Sequence, residues 1–284
     1  MTLSVNLNAE LADRMEILGL IAGAGRFPLI LADSYKKIKG GVIEAVGFFS
    51  ETDAELEKHV DRLTMIAVGQ LGKLIKTLKS ASVKKAVMAG QITPKRLYDS
   101  LQSLKFDIRG MKLFMSLPDK KADTIFGAVV RELESEGIEL MDSTTFLADY
   151  LPKKGVLTNR QPDESQRCDI EFGAKIAVEM GGLDIGQTVI VKNLSTVAIE
   201  AIEGTDESIR RGGKIAGAGT VVVKMAKPKQ DMRFDVPVIG LKTIETMKEA
   251  GSSVLAIQEG KTLILDKDEV IQKANEYGIC IVVI

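Results

Sequence analysis

The strongest constraint on the fold is a regular alternation, in the first half of the chain, of short apolar runs and segments with helical spacing. In the helical segments the apolar residues recur every three or four positions, whereas the apolar runs have the length of buried strands. Strands are predicted at residues 16–22, 42–49, 63–68 and 86–89, and helical segments at 29–37, 53–58 and 71–79. This β-α-β-α order predicts a parallel sheet covered by helices, and hence a Rossmann-like α/β domain.

The second half of the chain predicts another α/β domain. It follows residues 149–160, where a proline, a glycine and two lysines predict a linker. We therefore predict an N-terminal Rossmann-like domain over residues 1–148 and a C-terminal catalytic α/β domain over residues 161–284, with a ligand cleft between them; a length of 284 residues suits two domains. The apolar segment 279–284 is expected inside a sheet, because a bare apolar edge invites aggregation. Further helices are predicted at residues 97–104, 110–117 and 119–136.

Composition limits the chemistry that the chain can carry. The 38 Lys and Arg residues balance the 39 Asp and Glu residues, and there is no Trp, which argues against a nucleic-acid-binding protein. Cys168 and Cys280 are too far apart in sequence to suggest a metal site, and His59 is the only histidine. A catalytic metal would therefore be held by oxygen ligands, which favours Mg²⁺ or Mn²⁺ over Zn²⁺.

Membrane and export signals are weak. The sequence lacks an apolar stretch of the roughly 20 residues that a membrane helix needs. Its first residues also lack the basic start and apolar run of a signal peptide. These features predict a cytoplasmic protein and leave attachment to a membrane surface open. The sequence also leaves the oligomeric state open, and a homo-oligomer is one possibility.

Three predicted strands end in glycine-bearing turns: GAGRFP at residues 23–28, GQLGK at 69–73 and GQITPKR at 90–96. Ligands of parallel α/β sheets gather beyond the carboxyl ends of the strands, and glycine lets the backbone approach a phosphate. The first turn begins like a dinucleotide fingerprint but lacks its third glycine, and the second lacks the spacing of a P-loop. Tight strand-to-helix packing is the simpler interpretation of each single turn. The candidate substrate-binding residues in these turns are Gly23, Gly25, Arg26, Gly69, Gly72, Gly90 and Gln91.

The stretch at residues 224–243 is the most charged loop candidate in the chain. It combines closely spaced cations and carboxylates with Pro228 and Pro237, which predict a stiff loop that leaves the end of a strand. Such a loop suits phosphate chemistry, because cations bind phosphate oxygens and carboxylates hold a metal or orient water. The alternative is a solvated turn whose charges pair with one another. The charged residues are Lys224, Lys227, Lys229, Asp231, Arg233 and Asp235.

Residues 201–213 form a second polar candidate. Gly204 and Thr205 predict a turn into a short helix that ends at two arginines and two glycines. In one interpretation Thr205 caps this helix. In the other, Thr205, Asp206 and the two arginines gather where a nucleotide diphosphate could lie.

Four segments together resemble a known family. They are GLIAGAGRFP at residues 19–28, AGQI at 89–92, EAIEGTDE at 200–207 and KPKQDMRFDVPVIG at 227–240. The chain resembles the LpxI family of UDP-2,3-diacylglucosamine pyrophosphatases from about residue 15 onward. The resemblance implies a Mg²⁺-dependent hydrolase of lipid A biosynthesis that cleaves UDP-2,3-diacylglucosamine into 2,3-diacylglucosamine 1-phosphate (lipid X) and UMP. Water would attack the phosphorus next to the sugar.

The resemblance also implies roles for individual residues. Asp235 matches the family's essential acidic residue, with Asp231 as the alternative. Lys224, Lys227 and Arg233 would bind the phosphate oxygens. Mg²⁺ would be held by Asp206, Glu203 and Asp235, with Gly204 and Thr205 close to the substrate. The glycine turns would hold the uridine or the sugar, and the protein would lie at the cytoplasmic face of the inner membrane.

The acyl chains and the competing functions complete these expectations. An apolar groove for the chains could come from residues 113–115 and the face of the 125–133 helix, although core packing is the simpler interpretation of that stripe. A nucleotide-sugar or NAD-binding oxidoreductase would rest on the glycines at residues 23–25. A lipid or nucleotide carrier would share the site without turnover.

Overall fold

The computed structural model describes residues 16–92 and 105–284, which form two compact units. The first unit runs to Leu147 and also includes Met232–Phe234, and the second comprises Ala148–Asp231 and Asp235–Ile284. The helix predicted at residues 97–104 and the end of the third glycine turn, at residues 93–96, lie outside the described residues. Within the described part of the chain, we find no helix that is both long and apolar enough to span a bilayer.

The first unit is built on a five-stranded parallel sheet with the strand order β3-β2-β1-β4-β5. The order changes direction between β1 and β4, which is the arrangement of a Rossmann-type sheet. The predicted parallel α/β architecture is therefore confirmed. The strands are β1 (Ile17–Ala22), β2 (Val42–Phe48), β3 (Arg62–Ile66), β4 (Lys85–Ala89) and β5 (Glu139–Leu140), and the helices are α1 (Phe27–Lys39), α2 (Leu71–Ser80), α3 (Ile108–Ser116) and α4 (Ala122–Ser135), with a 3₁₀ turn at Ala54–Lys58.

Helix α2 shows how the sequence pattern produces this unit. Leu71, Leu74, Ile75 and Leu78 recur at helical spacing and are all buried in one apolar cluster with residues of the sheet. Their burial fixes the helix on the sheet, because each large aliphatic side chain removed from water contributes about 1.5–3 kcal/mol. The predicted apolar face is confirmed.

Three residues from late in the chain belong to the packing of the first unit. The ring of Phe234 stacks on Phe126 of α4 with 5.6 Å between centroids. The Ser143 hydroxyl lies 2.6 Å from the Met88 carbonyl oxygen and 2.8 Å from that of Arg233. The Arg233 guanidinium donates to Glu134 at 3.0 Å. Met232–Phe234 is thus anchored by its backbone, by an aromatic stack and by an ion pair.

The second unit contains a six-stranded mixed sheet with the order β6-β13-β11-β9-β7-β8, and a separate parallel pair, β10-β12. Strand β13 lies between β6 and β11, so the expectation that the last apolar segment lies inside a sheet is confirmed. Strand β6 lies within the segment predicted as a linker. The strands are β6 (Gly155–Val156), β7 (Thr188–Lys192), β8 (Ser195–Ile199), β9 (Val221–Lys224), β10 (Val238–Ile239), β11 (Val254–Ile257), β12 (Leu263–Ile264) and β13 (Cys280–Val283). The helices are α5 (Glu164–Gly182), α6 (Thr205–Ala216), α7 (Leu241–Ala250) and α8 (Lys267–Glu276), with a 3₁₀ turn at Ala148–Tyr150.

Helix α5 is positioned by local sequence at two points. Its start is a capping box in which the Asp163 carboxylate accepts from the Gln166 backbone and the Gln166 side chain accepts in return. At mid-helix, a Cβ on Gly173 would come within 2.7 Å of Val223 on β9, so only glycine allows the helix to lie this close to the sheet. The two cysteines differ in environment: Cys168 is exposed on α5, while Cys280 is buried in β13, where burial raises the pKa of its thiol.

The β7-β8 hairpin has an unusual turn. Its two central residues, Asn193 and Leu194, both have positive φ, 51° and 57°. The buried Asp169 carboxylate of α5 accepts from both backbone amides, at 3.1 and 2.6 Å. A turn with two positive φ values matches the right-handed twist of paired strands but normally uses Asn-Gly. The Asp169 hydrogen bonds therefore help to stabilise a leucine in a left-handed conformation.

Candidate active site

Lys224 is the last residue of strand β9. We had predicted it as the first residue of the charged loop that follows the strand. The residue is only 7% exposed. Its Nζ donates to the Thr205 hydroxyl at 2.8 Å, and that hydroxyl donates to Glu200 Oε1 at 2.7 Å. A buried ammonium needs such partners, because an isolated buried charge is strongly unfavourable.

Glu200 is the anionic end of this chain of hydrogen bonds. Burial alone would raise the pKa of its carboxyl group. The ammonium of Lys224, the Thr205 hydroxyl and the Gln187 backbone amide outweigh burial and hold the pKa below its ordinary value. Glu200 is therefore ionised at neutral pH and fixes the orientation of the Thr205 hydroxyl.

Helix α6 places Thr205 beside Lys224. The residue at the N-cap is Gly204, with φ of 85°, and Thr205 is the first residue of the helix. The interpretation that Thr205 caps the helix is wrong, because its hydroxyl is used by Glu200 and Lys224. The structure thus brings together Thr205 and Lys224, two of the predicted substrate-binding residues.

Asp235 lies in a second polar cluster of the same unit. Its Oδ2 is 3.2 Å from Lys227 Nζ and 3.4 Å from Gln187 Nε2. Lys227 also contacts Asp184 Oδ1 at 2.6 Å and has a side chain only 13% exposed, against 34% for Asp235. The carboxylate of Asp235 is therefore partly exposed but held by a fixed cation and an amide.

The loop that carries Asp235 is braced by its own hydrogen bonds. Gln230 Oε1 accepts from the Lys227 amide at 2.6 Å, and the Gln230 side-chain amide donates to the Asp235 carbonyl. The Asp235 amide donates to the carbonyl of Asp231 at 3.0 Å. Asp231 thus contributes its main chain to the position of Asp235.

The three predicted metal ligands do not form a metal centre. Glu203 pairs with Arg211 at 2.5 Å, Asp206 pairs with Lys242 at 2.9 Å, and Asp235 pairs with Lys227. Among residues 16–92 and 105–284 there is no group of three or more metal-ligating side chains. Each carboxylate instead pairs with a different cation. The residues as they stand do not fit a Mg²⁺ ion held by these three carboxylates.

Two of the three glycine turns meet in the first unit, beyond β1 and β4. The Ala24 amide donates to the Gln91 carbonyl at 2.7 Å, and the Gln91 amide donates back at 3.2 Å. A Cβ on Gly23 would lie 2.7 Å from the Gln91 carbonyl oxygen, and Gly90 has a φ of 89°. Gly25 and Arg26 follow directly in the first turn. These five predicted residues therefore lie at the point where the strand order changes direction, where α/β sheets bind ligands.

The turn with Gly69 and Gly72 lies elsewhere, beyond β3 at one edge of the sheet. The Asp107 carboxylate accepts from the Lys73 amide at 3.0 Å, and the Asp107 amide donates to the Gly69 carbonyl. Gly110 of α3 packs directly on Gly69. This turn is used for packing, and the structure does not bring Gly69 and Gly72 to the other two turns.

Several polar residues of the Lys224 and Asp235 clusters were not predicted from the sequence. Glu200 and Asp184 both contact predicted residues, and Gln187 contacts both clusters through its backbone and side chain. Glu200 had a signal, since it is a carboxylate that ends an otherwise apolar strand segment. Asp184 had none, because it follows the end of α5 and meets Lys227 only in three dimensions.

Comparison with known proteins gives consistent matches along the chain. The model of the LpxI N-terminal domain matches residues 17–150, and that of the LpxI C-terminal domain matches residues 153–282. The UDP-2,3-diacylglucosamine pyrophosphatase LpxI of Caulobacter vibrioides (strain ATCC 19089 / CIP 103742 / CB 15) is 30% identical over 276 residues, which cover 93% of this chain and 96% of the relative.

Two solved structures align with this chain at much lower identity. CobK precorrin-6A reductase aligns with a TM-score of 0.31 and 11% identity, over 95% of this chain and 87% of that one. The biotin carboxylase domain of Hydrogenobacter thermophilus 2-oxoglutarate carboxylase aligns with a TM-score of 0.25 and 12% identity, over 70% and 41%. At these scores neither similarity bears on fold or function.

Proposed function

Because this chain belongs to the LpxI family, we propose that it is a UDP-2,3-diacylglucosamine pyrophosphatase of lipid A biosynthesis. Water would hydrolyse the diphosphate to give 2,3-diacylglucosamine 1-phosphate and UMP. The observation that carries this proposal is the alignment of a relative named for this activity through nearly the full length of both chains.

The cations of the second unit suit the charge of a diphosphate. Hydrolysis places developing negative charge on the phosphate oxygens, and preorganised cations stabilise that charge best when they are already fixed. Lys224 and Lys227 are both largely buried and held by hydrogen bonds. In the proposed mechanism they contact the phosphate oxygens directly, without a large loss of side-chain entropy.

Asp235 is the proposed catalytic carboxylate. A carboxylate that accepts the proton of the attacking water must be positioned and partly accessible. Lys227 and Gln187 hold its Oδ2, and the side chain keeps about a third of its surface exposed. Asp231 is the alternative, and its carbonyl oxygen accepts from the Asp235 amide, which favours a supporting role.

We also propose that Mg²⁺ binds together with the substrate. Mg²⁺ is commonly bound through one or two carboxylates together with substrate phosphates. When bound in this way it would neutralise diphosphate charge, and no three-carboxylate protein site is required. We also propose a cytoplasmic enzyme that works at the surface of the inner membrane, because its substrate is a lipid.

Release of UMP tests the proposed function. The full chain is incubated with UDP-2,3-diacylglucosamine and Mg²⁺, and UMP is followed by chromatography. Asp235→Asn should lower kcat about 100- to 10,000-fold, as expected for loss of a general base, while substrate binding by calorimetry stays within threefold. In H₂¹⁸O the label should enter the lipid phosphate and not UMP.

Two matched variants make the result specific. Asp231→Asn removes the neighbouring carboxylate, and Asp268→Asn removes an exposed one on α8. The latter should keep wild-type activity. Absence of UMP release from the wild type contradicts the proposed function, and an Asp235→Asn variant with more than a tenth of wild-type kcat contradicts the role of Asp235.

A further inference from the structure

The first unit contains an apolar cavity between α3, α4 and the start of α2. The space between these elements, together with its solvent-open mouth, has a volume of about 480 Å³. The backbones of Gly69 and Gly110 close one side. The side chains around it include Leu71, Leu113, Phe114, Leu117, Ile125 and Val129.

Part of this lining belongs to the apolar stripe predicted from the sequence at residues 113–115 and 125–133. Leu113 and Phe114 face the cavity, but Met115 is 70% exposed on another side of α3. Val130 and Leu133 of α4 are buried in the core. The apolar stripe therefore serves both core packing and the wall of a cavity.

We propose that this cavity holds one acyl chain of the substrate, an inference that rests on the proposed function. Of the residues that the structure describes, none in the lining carries a charged or polar side chain. A sugar, a base or a phosphate placed there would lose hydrogen bonds with water and gain none. A hydrocarbon chain loses nothing, and the proposed substrate carries two.

The outer side of α3 supports a lipid as the source of the hydrocarbon. Ile108, Met111 and Met115 recur at helical spacing and are exposed, with Ile108 78% accessible. Helix α3 is thus apolar on the side of the cavity and on the side of the solvent, with the exposed Lys112 beside the stripe. Apolar residues flanked by lysine are typical of helices that lie at lipid surfaces.

The walls of the cavity are fixed before any ligand arrives. Arg109 of α3 contacts Glu132 of α4 and Glu136, each at 2.6 Å, and Lys79 of α2 contacts Glu136 at 2.5 Å. The hydrogen bond from Lys79, and then that from Arg109, lower the pKa of Glu136 to about 2, so this carboxylate stays ionised at neutral pH. The three helices are therefore braced, and a preformed cavity costs the ligand little ordering.

The fluorescent polyene cis-parinaric acid provides a direct binding probe. We expect saturable binding to the full chain at one site, and displacement by saturated fatty acids that improves about fourfold per added methylene until the cavity is full. Ile125→Phe, which fills the cavity, should weaken binding at least tenfold. Ala122→Phe adds the same ring at an exposed position of α4 and should change nothing.

The source of the chain is tested by kinetics. Ile125→Phe should raise KM for UDP-2,3-diacylglucosamine at least fivefold, and Ala122→Phe should not. If Ile125→Phe melts more than about 5 °C below wild type, Leu117→Phe, at a half-buried position of the lining, replaces it.

Each outcome decides the inference separately from the proposed function. Equal cis-parinaric acid affinity in wild type and filled variants overturns the cavity as a chain site, even if UMP release is normal. Weaker probe binding with unchanged KM overturns the assignment to the substrate. Absence of UMP release from the wild type overturns the proposed function while probe binding still reports on the cavity.

Discussion

At the scale of single residues, Lys224 and Glu200 show how the second unit holds a buried cation in place. The Thr205 hydroxyl connects the two side chains, because it accepts from Lys224 and donates to Glu200. A buried cation and a partly buried anion joined by one hydroxyl hold one another in position, because movement of either would weaken the hydrogen bonds of a charged group. This rigidity is what a phosphate-binding cation needs.

Replacing Glu200 tests this coupling. Glu200→Gln removes the negative charge and should lower the free energy of unfolding by about 1–3 kcal/mol at pH 7, as for a buried group left with a poor partner. Because the native pKa of Glu200 is lowered from 4.5, its contribution is complete above pH 4.5 and is lost as the pH falls through the native pKa. Urea denaturation at pH 7 and pH 4 measures both effects.

A neighbouring glutamate provides the control. Glu203→Gln breaks a surface pair with Arg211 and should change stability by less than about 1 kcal/mol at either pH. Equal losses in the two variants would show that Glu200 has no special coupling to the buried lysine.

The metal ligands show where sequence reasoning stops at this scale. Asp206, Glu203 and Asp235 were the predicted Mg²⁺ ligands, but the sequence does not show which cation each one meets. Lys242 follows Asp206 by 36 positions and lies beside it only because α6 and α7 pack together. Burial of Lys224 was equally hidden, since a strand that continues by one residue changes its environment from loop to core.

At the scale of helices and strands, most of the correct predictions follow from the spacing of apolar residues and from the residue types at turns and helix ends. The helical face of α2 and the cap of α5 follow from residues within one or two turns, and both were predictable. The attachment of Met232–Phe234 to the first unit was not, because it depends on Ser143, which is 90 positions distant from Arg233. The β7-β8 turn was also not predictable in type, because its second residue is leucine where glycine is usual.

That turn gives a stability prediction. Leu194 is 55% exposed and has φ of 57°, a conformation that costs a non-glycine residue about 1–2 kcal/mol. Leu194→Gly should therefore raise the free energy of unfolding by about 0.5–1 kcal/mol, after the greater flexibility of glycine in the unfolded chain is counted. Chemical denaturation measures the change.

Leu183 provides the control for the Leu194→Gly prediction. It is 72% exposed but has φ of −88°, so Leu183→Gly relieves no strain and should destabilise by about 0.5–1 kcal/mol. A loss of stability in both variants would contradict strain at Leu194.

At the scale of the whole molecule, each unit has its own apolar core. Among the described residues, a buried apolar cluster joins α2 and α4 to the sheet of the first unit, and other clusters join the six-stranded sheet of the second unit to its helices. In the first half of the chain, the alternation of apolar runs and helical segments predicted a sheet covered by helices, because each run has the length of a buried strand.

The cysteines give a prediction for the intact molecule. Cys168 is exposed, whereas Cys280 is buried and burial raises its pKa. Since the thiolate is the reactive form, Ellman's reagent at pH 8 should modify one thiol per native chain quickly and the second only in denaturant. Cys168→Ser should abolish the fast phase, and Cys280→Ser should leave it unchanged. Two fast thiols in the native protein would contradict the burial of Cys280.

This asymmetry makes the unmodified sequence suitable for spectroscopy. A maleimide fluorophore or a nitroxide would attach at one position on α5, directly before Asp169, whose carboxylate accepts from the hairpin amides. Its anisotropy or line shape would report on the mobility of α5 at this point without any engineered cysteine.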